Sequence, residues 1–84
     1  VLTILYFAWV REAVGKAQEE IAPPPSVTTV AELVGWLATQ GEGYAEAFAD
    51  PGRLRAALDQ EFVSLDVPLG SAREVALFPP VTGG

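Results

Sequence analysis

The chain has no cysteine, no histidine and no methionine, and asparagine is missing as well. Without cysteine there is no disulfide framework, no thiolate metal site and no thiol nucleophile. Without histidine it lacks the commonest metal ligand and the one side chain that titrates near neutrality unperturbed, so catalysis by this chain's own side chains is disfavoured. Positive charge is also scarce. Arg11, Lys16, Arg53, Arg55 and Arg73 face eleven acidic residues, for a net charge of −6, which argues against a nucleic-acid or anionic membrane surface and suits a basic partner. No apolar run approaches the roughly 18 residues that cross a bilayer, and no charged flank with a cleavage site precedes the first apolar run. The expectation is a soluble cytoplasmic protein with neither a membrane nor a nucleic-acid partner.

What is present is 84 residues, half of them hydrophobic, enough for one small domain in which every apolar run is needed for the core. The most unusual stretch is Phe78-Pro79-Pro80-Val81-Thr82-Gly83-Gly84. Pro79 and Pro80 fix φ and lack N–H groups, and Pro79 pushes Phe78 toward an extended conformation, so a strand reaching Phe78 leaves the fold as a straight stalk. Gly83 and Gly84 carry no side chains and can thread a channel too narrow for other residues. The extended reach from Phe78 to Gly84 is about 20 Å at roughly 3.3 Å per residue, enough to enter a pocket in another protein. At ordinary glycine usage two final glycines coincide in roughly one chain in two hundred. The pair alone therefore decides little, and the apolar run, proline brake and uncharged Val-Thr ahead of it carry the reading. The expected division is a domain over residues 1–78 and an arm over 79–84, with the α-carboxylate of Gly84 as its chemistry.

Along the chain, residues 2–8 read as a strand with Leu2, Ile4 and Tyr6 on one face and Thr3, Leu5 and Phe7 on the other. Residues 9–14 read as one or two helical turns stopped by Gly15, and 16–21 as a second strand. Three successive prolines make residues 22–26 a rigid connector. Thr29 and Glu32 have capping-box spacing, and Val30, Leu33, Val34, Leu37 and Ala38 follow at the period of a buried helical face, with Gly41 closing the helix and Trp36 against the sheet edge. Tyr44, Ala45, Ala47 and Phe48 make a short second helix, ended by the turn sequence Asp50-Pro51-Gly52. Intrinsic propensity favours helix for residues 53–58. Residues 62–65 are extended in character and 67–70 form a turn. In the last strand, 74–78, Val75 and Leu77 point to the core while Ala76 and Phe78 point away. Phe7 and Phe78 thus both lie off the core face, as a docking patch or as packing on the sheet's second face. This order predicts an α+β fold of the β-grasp, ubiquitin-like kind, a mixed sheet on one main helix.

Glu19 and Glu20 are adjacent and face opposite ways, and Glu12, Glu32, Glu46 and Glu74 are scattered, so the carboxylates read as a solvated surface rather than a catalytic pair. No calcium-loop spacing occurs. Gly41-Glu42-Gly43 lacks the third glycine and the lysine of a phosphate loop and reads as a turn. No bound cofactor or metal is expected.

The run Val75-Ala76-Leu77-Phe78-Pro79-Pro80-Val81-Thr82-Gly83-Gly84, with Leu5-Tyr6-Phe7-Ala8, Val10-Arg11-Glu12 and Phe62-Val63-Ser64, resembles the small subunit of molybdopterin synthase, a ubiquitin-like sulfur carrier. The resemblance implies that a ubiquitin-activating-like adenylyltransferase uses ATP to adenylate Gly84 and that a sulfur donor converts it to a thiocarboxylate. The carrier then gives sulfur to cyclic pyranopterin monophosphate on the synthase large subunit, in a heterotetramer whose catalytic side chains belong to the partner. It further implies that Phe7, Phe62 and Phe78 form the docking surface, that Pro79, Pro80, Val81 and Thr82 contact the partner with Gly83 beside the reacting group, and that residues 55–58 pair as a strand against their propensity. Arg11 matches a recurrent position of the family. Trp9 and the proline triplet depart from its pattern. Carriers for thiamine or tRNA thiolation, and modifiers that form isopeptide bonds, share the fold and the glycine pair.

Overall fold

The computed structural model describes residues 1–80. Its elements in chain order are β1 (Leu2–Tyr6), α1 (Ala8–Val14), β2 (Gln18–Ile21), α2 (Val30–Leu37), α3 (Glu42–Ala47), a 3-10 turn (Pro51–Arg53), β3 (Arg55–Leu58), β4 (Glu61–Val63) and β5 (Glu74–Phe78). The five strands form one sheet in the order β2-β1-β5-β3-β4. β1 and β5 run parallel in the middle, and β2, β3 and β4 pair antiparallel to their neighbours. This is the expected α+β, β-grasp arrangement.

Strand alternation determines which side chains enter the core. Leu2, Ile4 and Tyr6 from β1, Val75 and Leu77 from β5 and Ala56 from β3 are buried on the inner face, where they meet Val30, Leu33, Val34 and Leu37 of α2. Those four helical positions are the stripe read from the sequence, short of Ala38. The capping box is formed: Thr29 Oγ1 accepts from the Glu32 N–H at 3.1 Å, and Glu32 Oε1 accepts from the Thr29 N–H at 3.1 Å. Such a cap contributes about 1 kcal/mol to the helix start. Trp36 is half-buried against the same core.

Three local expectations are corrected. β1 stops at Tyr6, because Ala8 takes a left-handed φ of 54° and turns the chain into α1, with Phe7 as its N-cap residue. α2 ends at Leu37 rather than at Gly41: Ala38 caps it, and the Thr39 hydroxyl donates to the Trp36 carbonyl at 2.6 Å. Gly41-Glu42-Gly43 is not a turn but the start of α3, with Gly41 at its N-cap. Gly43 lies where α1 crosses α3, and a Cβ there would stand 2.2 Å from the Ala13 carbonyl oxygen. Close helix approach therefore selects glycine at this position. Residues 55–58 form the strand expected from the resemblance, against their helical propensity.

β3 is held as a strand by its neighbours. It pairs with β5 on one side and β4 on the other, and its two alanines are both buried, one on each face of the sheet. Asp59 and Gln60 close the β3–β4 hairpin with φ of 47° and 72°, the primed geometry that tight hairpins favour, here reached without glycine. Asp59 Oδ1 accepts from the N–H groups of Arg73 and Glu74, each at 3.0 Å, which ties the hairpin to the start of β5. At the other end of α1, Gly15 with φ of 91° supplies the left-handed cap expected of it.

Candidate functional site

Among the described residues no helix packs on the sheet's second face, and the strand registers lay out its side chains in rows. At one end Thr3 of β1 sits between Glu20 of β2 and Glu74 of β5. The next row runs Gln18, Leu5, Ala76, Ala57, Phe62 across all five strands. At the far end Arg55 of β3 is opposite Phe78 of β5, and Phe7 follows β1 alongside, its N–H donating to the Leu77 carbonyl at 3.3 Å. The middle of this face is therefore apolar and includes Phe62, one end is acidic, and the other end holds Phe7, Phe78 and one arginine.

This apolar surface is open to solvent. Phe62 is 82% exposed and Phe7 47%, and Phe78 is half-buried with its ring 5.7 Å from that of Phe62. Ala57, only 4% exposed, is buried although it stands outside the core cluster. A hollow of about 240 Å³ with almost wholly apolar walls opens between Arg55, Ala56, Phe62, Val63 and Phe78. Contiguous exposed apolar surface of this kind marks an interaction site. The three phenylalanines singled out from the sequence are thus on one face, Phe7 and Phe78 at its far end and Phe62 on the edge strand of the middle row, with Phe62 and Phe78 in ring contact.

Phe78 ends β5, and the chain continues as Pro79 and Pro80, both half-buried. Val81, Thr82, Gly83 and Gly84 lie outside the described residues. The arm would therefore start from the aromatic end of the open face.

Sequence reading passed over Arg55 and Ala57 in this setting. The signal was available in strand parity, since alternation along the strand that the resemblance implies for residues 55–58 puts Arg55 and Ala57 on one face. Arg11 is exposed on α1 and makes no ion pair among the described residues. Trp9, the departure from the family pattern, is half-buried beneath the Arg53 guanidinium, 4.9 Å from it, and lines a separate polar cleft with Glu12, Ala13, Glu46 and Arg53.

The described residues contain no group of three or more metal-ligating side chains. The most connected polar cluster is structural. Glu19 Oε2 accepts from the hydroxyls of Tyr6 at 2.6 Å and Tyr44 at 2.7 Å, and Oε1 accepts from Lys16 Nζ at 3.3 Å, which fastens β2 and α3 to the core tyrosine. Burial pushes the Glu19 carboxyl up, but the three hydrogen bonds outweigh it and leave the group below its ordinary value. Burial and the same carboxylate push Tyr6 far up.

A depressed folded pKa stabilises the protein above the unfolded value and loses that contribution as pH falls through the folded one. Acidification below the ordinary glutamate value of 4.5 should therefore lower the melting temperature of the wild type more steeply than that of Glu19→Gln. Parallel pH profiles for the two proteins would remove Glu19 from the account of acid stability.

The model of the ThiS family matches residues 4–84. The chain is 46% identical over 83 residues to the molybdopterin synthase sulfur carrier subunit of Escherichia coli K12, and 34% identical over 83 residues to that of Haemophilus influenzae, in each case spanning 99% of both sequences. Among solved structures, SAMP1 from Haloferax volcanii superposes with a TM-score of 0.69 at 22% identity, over 99% of this chain and 98% of that one. A putative molybdopterin converting factor, subunit 1, from Pyrococcus furiosus gives a TM-score of 0.67 at 23% identity, over 95% and 97%. At these identities the structural likeness speaks for the fold.

Proposed function

The chain belongs to the ThiS family, and on that premise we propose that it is the sulfur-carrier subunit of a molybdopterin synthase. The observation that carries this reading is the match along 99% of both chains to curated sulfur carrier subunits of that enzyme. The open aromatic face at the root of the arm supports it. A subunit implies a larger partner, and the apolar rows give that partner a place to dock.

The chemistry proposed for Gly84 follows from what a carboxylate can do. A free carboxylate is a poor acyl donor, so an adenylyltransferase first joins it to AMP from ATP with release of pyrophosphate. A sulfur donor then displaces AMP and leaves a thiocarboxylate. On the large subunit this sulfur is transferred to cyclic pyranopterin monophosphate, with a second charged carrier needed to complete the dithiolene. The arm over residues 79–84 does the positioning: prolines hold it straight, and glycines let it pass a narrow channel. Acid–base groups for the transfer come from the large subunit, since this chain offers neither cysteine nor histidine. ATP belongs to the activating step and is not a resident cofactor. No helix among the described residues is long and apolar enough to cross a membrane, and the cytoplasm is the proposed compartment.

The test is reconstitution of sulfur transfer. The chain, charged by an activating enzyme with ATP and a sulfur donor, is mixed with the large subunit and the pyranopterin precursor, and dithiolene product is the expected outcome. A charged chain that yields no product there but thiolates a thiamine precursor or tRNA would move it to another carrier role. Recovery of the chain joined to lysines would make it a modifier.

A further inference from the structure

The open face is electrically asymmetric, and Arg55 is the reason. Among the described residues it is the one charged side chain that the registers place beside Leu5, Phe7, Ala57, Phe62, Ala76 and Phe78, opposite Phe78 and on the wall of the apolar hollow. Among the described residues its guanidinium makes one hydrogen bond, Nη1 donating to the Leu54 carbonyl at 2.9 Å, and the single ion pair there is Lys16–Glu19. Four of the five guanidinium donors remain for other partners. At the other end of the same face stand Glu20 and Glu74. Glu74 and Phe78 are four residues apart on β5, so the two poles are roughly 13 Å apart across apolar surface.

We infer that Arg55 pairs with a carboxylate of the docking partner, one that flanks an apolar side chain seated in the hollow. A partner lying on Phe62 and Phe78 removes water from Arg55, and an arginine covered without an acceptor is strongly unfavourable. The planar guanidinium fits a carboxylate through two parallel hydrogen bonds. This local demand is opposite to that of the whole chain, whose net charge of −6 draws a basic partner. The two poles together define one orientation: basic groups over Glu20 and Glu74, an acidic group over Arg55. Turning the partner end for end would set like charges against each other. Charge polarity thus fixes the direction in which the arm leaves the complex, a task the non-directional apolar contact cannot perform.

The inference rests on the reading that the large subunit docks on this face. Its test is the dissociation constant for the isolated large subunit, measured for the wild type, Arg55→Leu, Arg55→Glu, Arg55→Lys and Arg73→Glu. Arg73 is exposed just before β5, so Arg73→Glu makes the same net-charge change at the opposite end. Loss of about tenfold for Arg55→Leu and of roughly 30-fold or more for Arg55→Glu is expected, with Arg55→Lys between wild type and Arg55→Leu and Arg73→Glu no weaker than wild type. Melting temperatures of the free variants should stay at the wild-type value, because Arg55 and Arg73 are exposed. Binding by Arg55→Leu as tight as wild type or tighter overturns the inference, as does equal weakening by Arg55→Glu and Arg73→Glu, which would reduce the effect to net charge. Absence of any binding by the wild-type chain would instead sink the docking reading itself, and this inference with it.

Discussion

A chain shortened by Gly84 should fold and melt as the full one does, yet lose sulfur transfer almost completely. Deleting one residue withdraws the carboxylate by about 3.3 Å, and a misplacement of 1 Å at a reacting centre already costs about 100-fold. The loss should therefore exceed roughly a thousandfold in single-turnover transfer, with the dissociation constant for the large subunit altered far less, because Phe7, Phe62 and Phe78 remain. A shortened chain that still delivers sulfur would mean that the reacting atom is not at this position. Loss of binding in step with loss of transfer would mean that Gly84 anchors rather than reacts.

The second large effect separates two adjacent residues of β5. Leu77 is fully buried on the inner face against α2, and Phe78 points the other way beside Phe62. Leu77→Ala removes core volume and should cost about 3 kcal/mol, lowering the melting temperature of a domain this size by roughly 15 °C. Phe78→Ala loses a half-exposed ring contact, for which about 1 kcal/mol is the scale, but it removes an aromatic anchor of the docking face. There the expected cost is about 2 kcal/mol, a roughly 30-fold weaker complex. Thermal melts and binding titrations on both variants decide the matter. If Phe78→Ala costs as much in the melt as in the titration, Phe78 is a core residue and the second face is not the docking surface.

The same alternation explains how much could be read in advance. Period-two patterning in β1 and β5 assigned Ile4, Tyr6, Val75 and Leu77 inward and Phe7 and Phe78 outward, because in each strand one alternate set is wholly apolar while the other carries Thr3 or Glu74. Thr29 and Glu32 announced the start of α2, since a capping box is a local device. β3 was a different matter. Its residues favour a helix locally, and only pairing between β5 and β4, which no local window contains, makes them a strand. The strand followed from family resemblance rather than from the local pattern, so parity was not applied to Arg55 and Ala57, and Phe62 likewise came to notice through resemblance rather than through patterning. Gly43 was illegible for a similar reason: the Ala13 carbonyl that excludes a side chain there is thirty residues away in sequence.

Electrostatics followed the same division. The net charge was visible from composition, but its arrangement was not. Glu20 and Glu74 come from strands far apart in the chain and meet on either side of Thr3 only through the β1 registers. The Glu19 carboxylate, read from sequence as one of two solvated neighbours, proves to be the acceptor that joins two tyrosines across β2, the core and α3.

The central claim is that the sulfur of the product passes through Gly84, and following one atom tests it most directly. The chain is charged with isotopically labelled sulfur, its thiocarboxylate is located on Gly84 by fragmentation of the intact protein, and it is then mixed with the large subunit and unlabelled precursor, with no free sulfur donor. The account predicts labelled sulfur in the dithiolene and an ordinary carboxylate returned to Gly84. Unlabelled product, or label retained on the chain while product forms, would contradict it.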